Sequence, residues 1–145
     1  MKHKKAEDEI IDILNRNNVF SGGNIVKHNK DYSRFDAYNK ECIVEIKDRK
    51  SNDNFKSYND LQIEFDKYAF NKEFARLKNV NFYYVNRYKG NIIIFDITNL
   101  ADTDYSFKWR WEDHNKTTEF KMTEKISKLV GYIDIKCAWH IIPLK

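Results

Sequence analysis

From Ser33 to Lys50 the chain reads SRFDAYNKECIVEIKDRK. An aspartate, Asp36, is followed by an apolar run that closes on Glu45-Ile46-Lys47. In an extended strand side chains alternate between faces, so Glu45 and Lys47 point one way while Val44 and Ile46 point the other. A strand so rich in Ile and Val belongs deep in a sheet, where unpaired charge is expensive. Two carboxylates and an ammonium gathered at such a place suggest a metal site that handles phosphate. By itself Asp-x8-Glu-x-Lys also describes a half-exposed strand, so the surrounding elements decide its meaning.

Those elements read as follows. Ile10, Ile11 and Leu14 recur at helical spacing behind Glu7, Asp8 and Glu9, which predicts a helix over 6–17 with acids in the turn its dipole favours. After the turn Ser21-Gly22-Gly23, strands are expected over 24–28, 33–38 and 41–47. They are joined by Asn29-Lys30-Asp31 and Asn39-Lys40, giving an antiparallel meander. Residues 51–54 read as loop. The stretch 57–78 predicts a long helix apolar on two sides, Tyr58, Leu61, Phe65, Tyr68 and Ala75 on one and Ile63, Phe70 and Phe74 on the other. Such a helix would be sandwiched within the fold. Strands over 82–85 and 91–97 follow, turning at Tyr88-Lys89-Gly90, the second apolar enough to be central. The last third suggests an edge strand over 107–111, a short helix over 123–130 and short strands over 132–135 and 138–142. The whole is one domain, 1–145, of α/β (α+β) class with the order αβββαββ and a short mixed C-terminal extension.

A glutamate-bearing helix, a β-meander carrying Asp36 and then Glu45-Ile46-Lys47, and a helix packed behind the sheet together resemble the PD-(D/E)XK nuclease superfamily, and in particular its small Holliday-junction resolvases. The resemblance covers about residues 6–97; Phe35 stands where the name-giving motif has proline. It implies a restriction-endonuclease-like αβββαβ core, a mixed sheet flanked by helices, and a Mg²⁺-dependent endonuclease hydrolysing DNA, with Mn²⁺ able to substitute. The enzymes it resembles cut branched DNA as homodimers. Mg²⁺ prefers oxygen ligands and keeps several waters, so Asp36, Glu45 and the backbone carbonyl of Ile46 would form the cage. Lys47 would orient the water or balance charge on the phosphate. Glu7 would bind a second metal or hold the water network, although a first-turn glutamate is commonly a dipole partner and Glu9 competes for the role.

Further candidates are weaker. Arg49, Lys50 and Lys56 form a basic run leaving the site, where a nucleic-acid backbone would pass; the alternative is a solvated loop. On a helix, Gln62 and Lys67 would lie about 140° apart, so both cannot serve the site and each reads as supporting at most. Trp109 and Trp111, interleaved with Lys108 and Arg110, could stack on bases, but strand alternation favours packing.

The formal net charge of +4, with a sequence pI of about 8.9, allows a polyanion; the resemblance implies DNA more than RNA. The basic side is mostly lysine, 20 against 6 arginines, which reads as AT-rich coding bias. Cys42 and Cys137 lie far apart, fit no metal spacing and read as buried thiols. The four histidines lack metal spacing, no Gly-rich phosphate loop accompanies Gly22-Gly23, and no apolar run reaches membrane length. The expected compartment is the cytoplasm. Two other readings stay open: an inactive nuclease-fold module that binds nucleic acid or inhibits or recruits a protein, and a plain interaction domain in which Glu45 and Lys47 form an ion pair.

Overall fold

The computed structural model describes residues 2–28, 34–49, 59–100, 107–115 and 125–145. In chain order its elements are α1 (Lys2–Arg16), β1 (Val26–Lys27), β2 (Ala37–Tyr38), β3 (Cys42–Asp48), β4 (Asp60–Glu64), α2 (Phe65–Lys78), β5 (Asn81–Tyr88), β6 (Asn91–Asp96), β7 (Phe107–Asn115), β8 (Lys125–Asp134) and, after a 3₁₀ turn at Ile135–Cys137, β9 (His140–Pro143). The fold is mixed α+β. A six-stranded sheet runs β1-β2-β3-β5-β6-β9, and a second, antiparallel sheet runs β4-β8-β7. Within the larger sheet β3 and β5 are parallel, connected through β4 and α2, and the other pairs are antiparallel.

Strand alternation sorts the core onto two faces. From β3, Cys42, Val44 and Ile46 join Ile10 and Leu14 of α1, whereas Ile43 joins Tyr68 and Ala75 of α2. On β5, Val85 goes to the α1 side and Tyr84 to the α2 side, and β6 divides the same way with Ile94 and Phe95. Leu61, Ile63, Phe107 and Ile133 of the smaller sheet share the α2-side cluster. Local signals agree with these bounds. Asn79 closes α2 in the left-handed region (φ 56) while its amide bonds the Ala75 and Arg76 carbonyls. Lys89 and Gly90, at φ 52 and 75, make the two-residue hairpin turn between β5 and β6.

Two expectations are corrected. The long helix over 57–78 is a strand, β4, followed by α2 from Phe65. Leu61 and Ile63 are buried while Asp60, Gln62 and Glu64 are only partly so, a period of two that pairing with β8 satisfies. Nor is α2 sandwiched, since Phe65, Phe70 and Leu77 are exposed. The helix over 123–130 is strand β8, whose ladder runs from Lys125 against Asn115 to Ile133 against Phe107. Long-range pairing has overridden the local helical spacing of Ile126, Leu129 and Val130. Ladder β8 also absorbs the separate strand expected over 132–135. The edge strand over 107–111 is present and longer, as β7. The loop 51–54, Ser33 and the turn 29–31 lie outside the described residues. Cys42 and Cys137 are free thiols belonging to opposite faces of the sheet. Among the described residues no helix is long and apolar enough to cross a membrane.

Candidate metal and phosphate site

The register of β2 against β3 pairs Ala37 with Val44, and the Asp36 amide continues the ladder by donating to the Val44 carbonyl at 2.8 Å. Asp36 therefore lies opposite Glu45, and paired residues of an antiparallel ladder share a face. Glu45 and Lys47 follow Ile43 at strand period, so that face is the one covered by α2. The two carboxyl groups share a hydrogen bond, Glu45 donating when protonated. Asp36 Oδ2 also accepts from the Ile46 amide at 2.7 Å, which fixes its orientation.

Lys67 of α2 completes the cluster, its Nζ donating to Glu45 Oε2 at 2.9 Å. Glu64, at the end of β4, contributes negative charge felt by both Lys47 and Lys67 and is itself bridged to Lys128 at 3.4 Å. Burial, then the charge on Asp36, pushes the Glu45 carboxyl up to about 8, with Lys67 opposing. Burial also raises Asp36 above its ordinary value against the Ile46 amide, Lys67 and Lys27. Burial works against the Lys67 ammonium, but Glu45 and Asp36 outweigh it and its pKa is raised. Crowding lowers the Lys47 ammonium, helped by the like charges of Arg49 and Lys67. This is the signature of two crowded carboxylates, Glu45 buried and Asp36 partly so, in want of positive charge.

The remaining candidates sort by geometry. Glu7 does not join the carboxylates; it lies 3.9 Å from Lys27, whose ammonium also bridges Asp8 at 3.0 Å and acts on Asp36 through its charge. Glu9, its competitor, pairs with Arg87 at 3.0 Å, beside Asp48 on the α1 side of β3. Arg49 is turned inward: its guanidinium donates to Asn86 Oδ1 (2.8 Å), the Gln62 carbonyl (2.6 Å) and Tyr84 Oη (3.1 Å), tying β4 to β5. Lys50 and Lys56 lie outside the described residues. The 140° separation assumed for Gln62 and Lys67 falls away because Gln62 is on β4. Its side chain donates to Tyr132 Oη at 3.3 Å, while Lys67 reaches the carboxylates. The ion pair imagined between Glu45 and Lys47 is made by Lys67 instead. Trp109 packs against Phe65, Tyr68 and Phe107 as alternation favoured, and Trp111 is 71% exposed.

Among the described residues no group of three or more His, Cys, Asp or Glu could hold a metal. The donor set is thus two carboxylates plus backbone oxygen, which suits a hard cation that retains several waters rather than zinc or another tightly caged ion. Lys67, which the sequence offers as a supporting residue at most, is thus the direct partner of Glu45, and Lys27 and Glu64, which carry no sequence signal for the site, act on it through their charge.

Comparison of the chain with protein-family models, curated proteins and solved structures finds no match.

Proposed function

We propose that this chain is a phosphodiesterase that hydrolyses DNA with the help of Mg²⁺, or Mn²⁺ in its place, held at Asp36 and Glu45. One observation carries the reading: a buried carboxylate, Glu45, and a half-buried one, Asp36, face each other across β2 and β3, both driven toward protonation, with Lys47 and Lys67 beside them. A divalent cation relieves that repulsion better than protons do at neutral pH. When bound, it would supply a water of lowered pKa and polarise a phosphoryl oxygen. Asp36 and Glu45 would hold it, with the carbonyl of Ile46 as a third protein oxygen, and the hydrogen bond from the Ile46 amide keeps the Asp36 carboxylate oriented. Lys67 then exchanges Glu45 for the substrate phosphate, and Lys47 orients the attacking water or balances the growing charge. Glu7 has no part in the cage.

The order of α1, the β1-β2-β3 meander, α2 and parallel β5, with the helices on opposite faces, supports the likeness to the PD-(D/E)XK superfamily. With it come the expectations of branched-DNA substrates and a homodimer, read by light scattering. The test is incubation of pure protein with supercoiled plasmid, a Holliday junction and single-stranded DNA, in Mg²⁺, Mn²⁺ or EDTA. Metal-dependent cutting that vanishes in Asp36→Asn and drops about 10²–10³-fold in Lys47→Ala is expected. No cutting of any substrate in either metal at low salt overturns the reading.

A second reading rests on Lys67. Its ammonium at 2.9 Å already offsets the charge of Glu45, as in a nuclease-fold module that binds nucleic acid or a protein without cleaving. In that case no Mn²⁺ binds at Asp36 and Glu45 in calorimetric titration.

A further inference from the structure

Ile43 lies on the same face of β3 as Glu45, about 6–7 Å along the strand. There the sheet and α2 leave a groove of about 550 Å³. Phe35 and Tyr38 wall it from the β2 side and Phe74 from α2, with Lys27 and Lys78 at its margin. The rings form a continuous row: His28 and Phe35 stack at 4.5 Å between centroids, Phe35 and Phe74 lie 5.4 Å apart, and Tyr38 meets Phe35 edge-on at 6.4 Å. Tyr38 is 40% exposed, and the Lys78 ammonium stands 5.9 Å from the Phe74 ring. Phe35 immediately precedes Asp36 in the chain.

We propose that this groove receives the base of an unpaired nucleotide whose adjoining phosphate lies at Asp36 and Glu45, so that the substrate is single-stranded or frayed nucleic acid rather than intact duplex. Placing the phosphate rests on the phosphodiesterase reading; the base site rests on the groove alone. Its volume falls in the range of small-molecule sites. Aromatic walls take any base by its π-face, and Lys78 at the margin matches an adjoining phosphate. The distance from Ile43 to Glu45 is about one nucleotide step of an extended strand. A base stacked within a duplex cannot offer its face to Tyr38 and Phe74 without leaving the helix. A purely apolar partner would leave the Lys78 ammonium facing hydrocarbon, which disfavours a hydrophobic peptide.

The test is fluorescence anisotropy in EDTA with labelled hexathymidylate and a blunt DNA hairpin. Hexathymidylate is expected to bind more tightly than the hairpin. Tyr38→Ala should weaken it about tenfold, the middle of the range for losing one stacked base. Tyr38→Trp should restore binding, Lys78→Glu should weaken it, and hairpin binding should not respond to Tyr38. Equal affinity for the two probes, or hexathymidylate binding within twofold of wild type in both Tyr38→Ala and Lys78→Glu, overturns the proposal; if Tyr38→Ala does not fold, Lys78→Glu decides. Displacement by an apolar helical peptide but not by unlabelled hexathymidylate assigns the groove to a protein and also overturns it. Cleavage assays run alongside separate the two readings. Tyr38-dependent binding without metal-dependent cutting leaves the groove standing and removes the hydrolase; cutting indifferent to Tyr38 does the reverse.

Discussion

Replacing Glu45 by glutamine measures how much charge conflict the site holds. Glu45 is 4% exposed, and burial followed by the Asp36 charge raises its carboxyl from the ordinary 4.5 to about 8. A carboxyl with a folded pKa above its unfolded value binds its proton more tightly in the folded state. Its contribution to stability is full below about pH 4.5 and is lost as pH rises through about 8. At pH 9 the ionised group therefore weighs against folding by up to about 5 kcal/mol, taking about 1.4 kcal/mol per pH unit between the two values. Glutamine removes that penalty and keeps a hydrogen bond toward Asp36, but its neutral amide oxygen weakens the 2.9 Å contact with Lys67, at a cost of up to about 1–3 kcal/mol. Lys67 can return to water, since 43% of its side chain is already exposed. The net expectation is a variant about 2 kcal/mol more stable than wild type at pH 9 and nearly equal to it at pH 5. For a chain of 145 residues that is about 4–8 °C in Tm. Thermal melts by circular dichroism from pH 5 to 9 in EDTA read the difference, and saturating Mg²⁺ at pH 8.5 should stabilise wild type but not the variant. Should Glu45→Gln melt below wild type at pH 9, Glu45 is content in its ion pair and no charge conflict exists.

The same raised pKa predicts that the Mn²⁺ association constant, followed by electron paramagnetic resonance of the free ion, climbs about tenfold per pH unit from 6 to 8 and then levels, because the cation displaces a proton from Glu45. A flat profile over that interval counts against Glu45 as a ligand. Arg49→Met should lower stability by about 1–3 kcal/mol in urea denaturation, since it leaves the buried Asn86 Oδ1 without the Arg49 donor, while the Tyr84 hydroxyl keeps its bond to the Gln62 carbonyl. Unchanged stability with weakened DNA binding would instead return Arg49 to the role of a backbone contact. Gly131→Ala should destabilise by about 1–3 kcal/mol, because its new Cβ would sit 2.7 Å from Trp109 Cζ3 across the β7–β8 ladder. Trp109→Leu should recover part of the loss if that contact is the cause.

The carboxylate pair was legible because its determinants are local. The apolar alternation of Cys42 to Ile46 places Glu45 and Lys47 on one face, and a short turn at Asn39-Lys40 leaves only one antiparallel register that buries Ala37 and Val44 together. The hairpin at Lys89-Gly90 was equally local. What failed was decided at a distance. Residues 60–64 carry apolar side chains compatible with either period, and the ladder with β8, some seventy residues on, selects the strand. The same ladder selects a strand for 125–134. Lys67 was discounted for the same reason, since an angular argument on a helix that begins only at Phe65 cannot place Gln62. Arg49 looked solvent-facing beside Lys50 because nothing in sequence shows that Asn86 and Tyr84 wait behind it.

The charges at the site link the cation to the substrate. Asp36 and Glu45, ionised, are balanced by Lys47 and Lys67, so these four side chains by themselves hold little net charge and little attraction for a phosphodiester. With a divalent cation held by Asp36 and Glu45, the same cluster would carry net positive charge, and Lys67 would be left free to meet an anion. Cation and phosphate should therefore bind cooperatively, each raising the affinity of the other by the same factor. In this arrangement Lys67 guards the carboxylate pair in the absence of metal and serves the phosphate in its presence. The two readings of the site thus differ in a single quantity, whether Mn²⁺ competes successfully with one ammonium for Glu45.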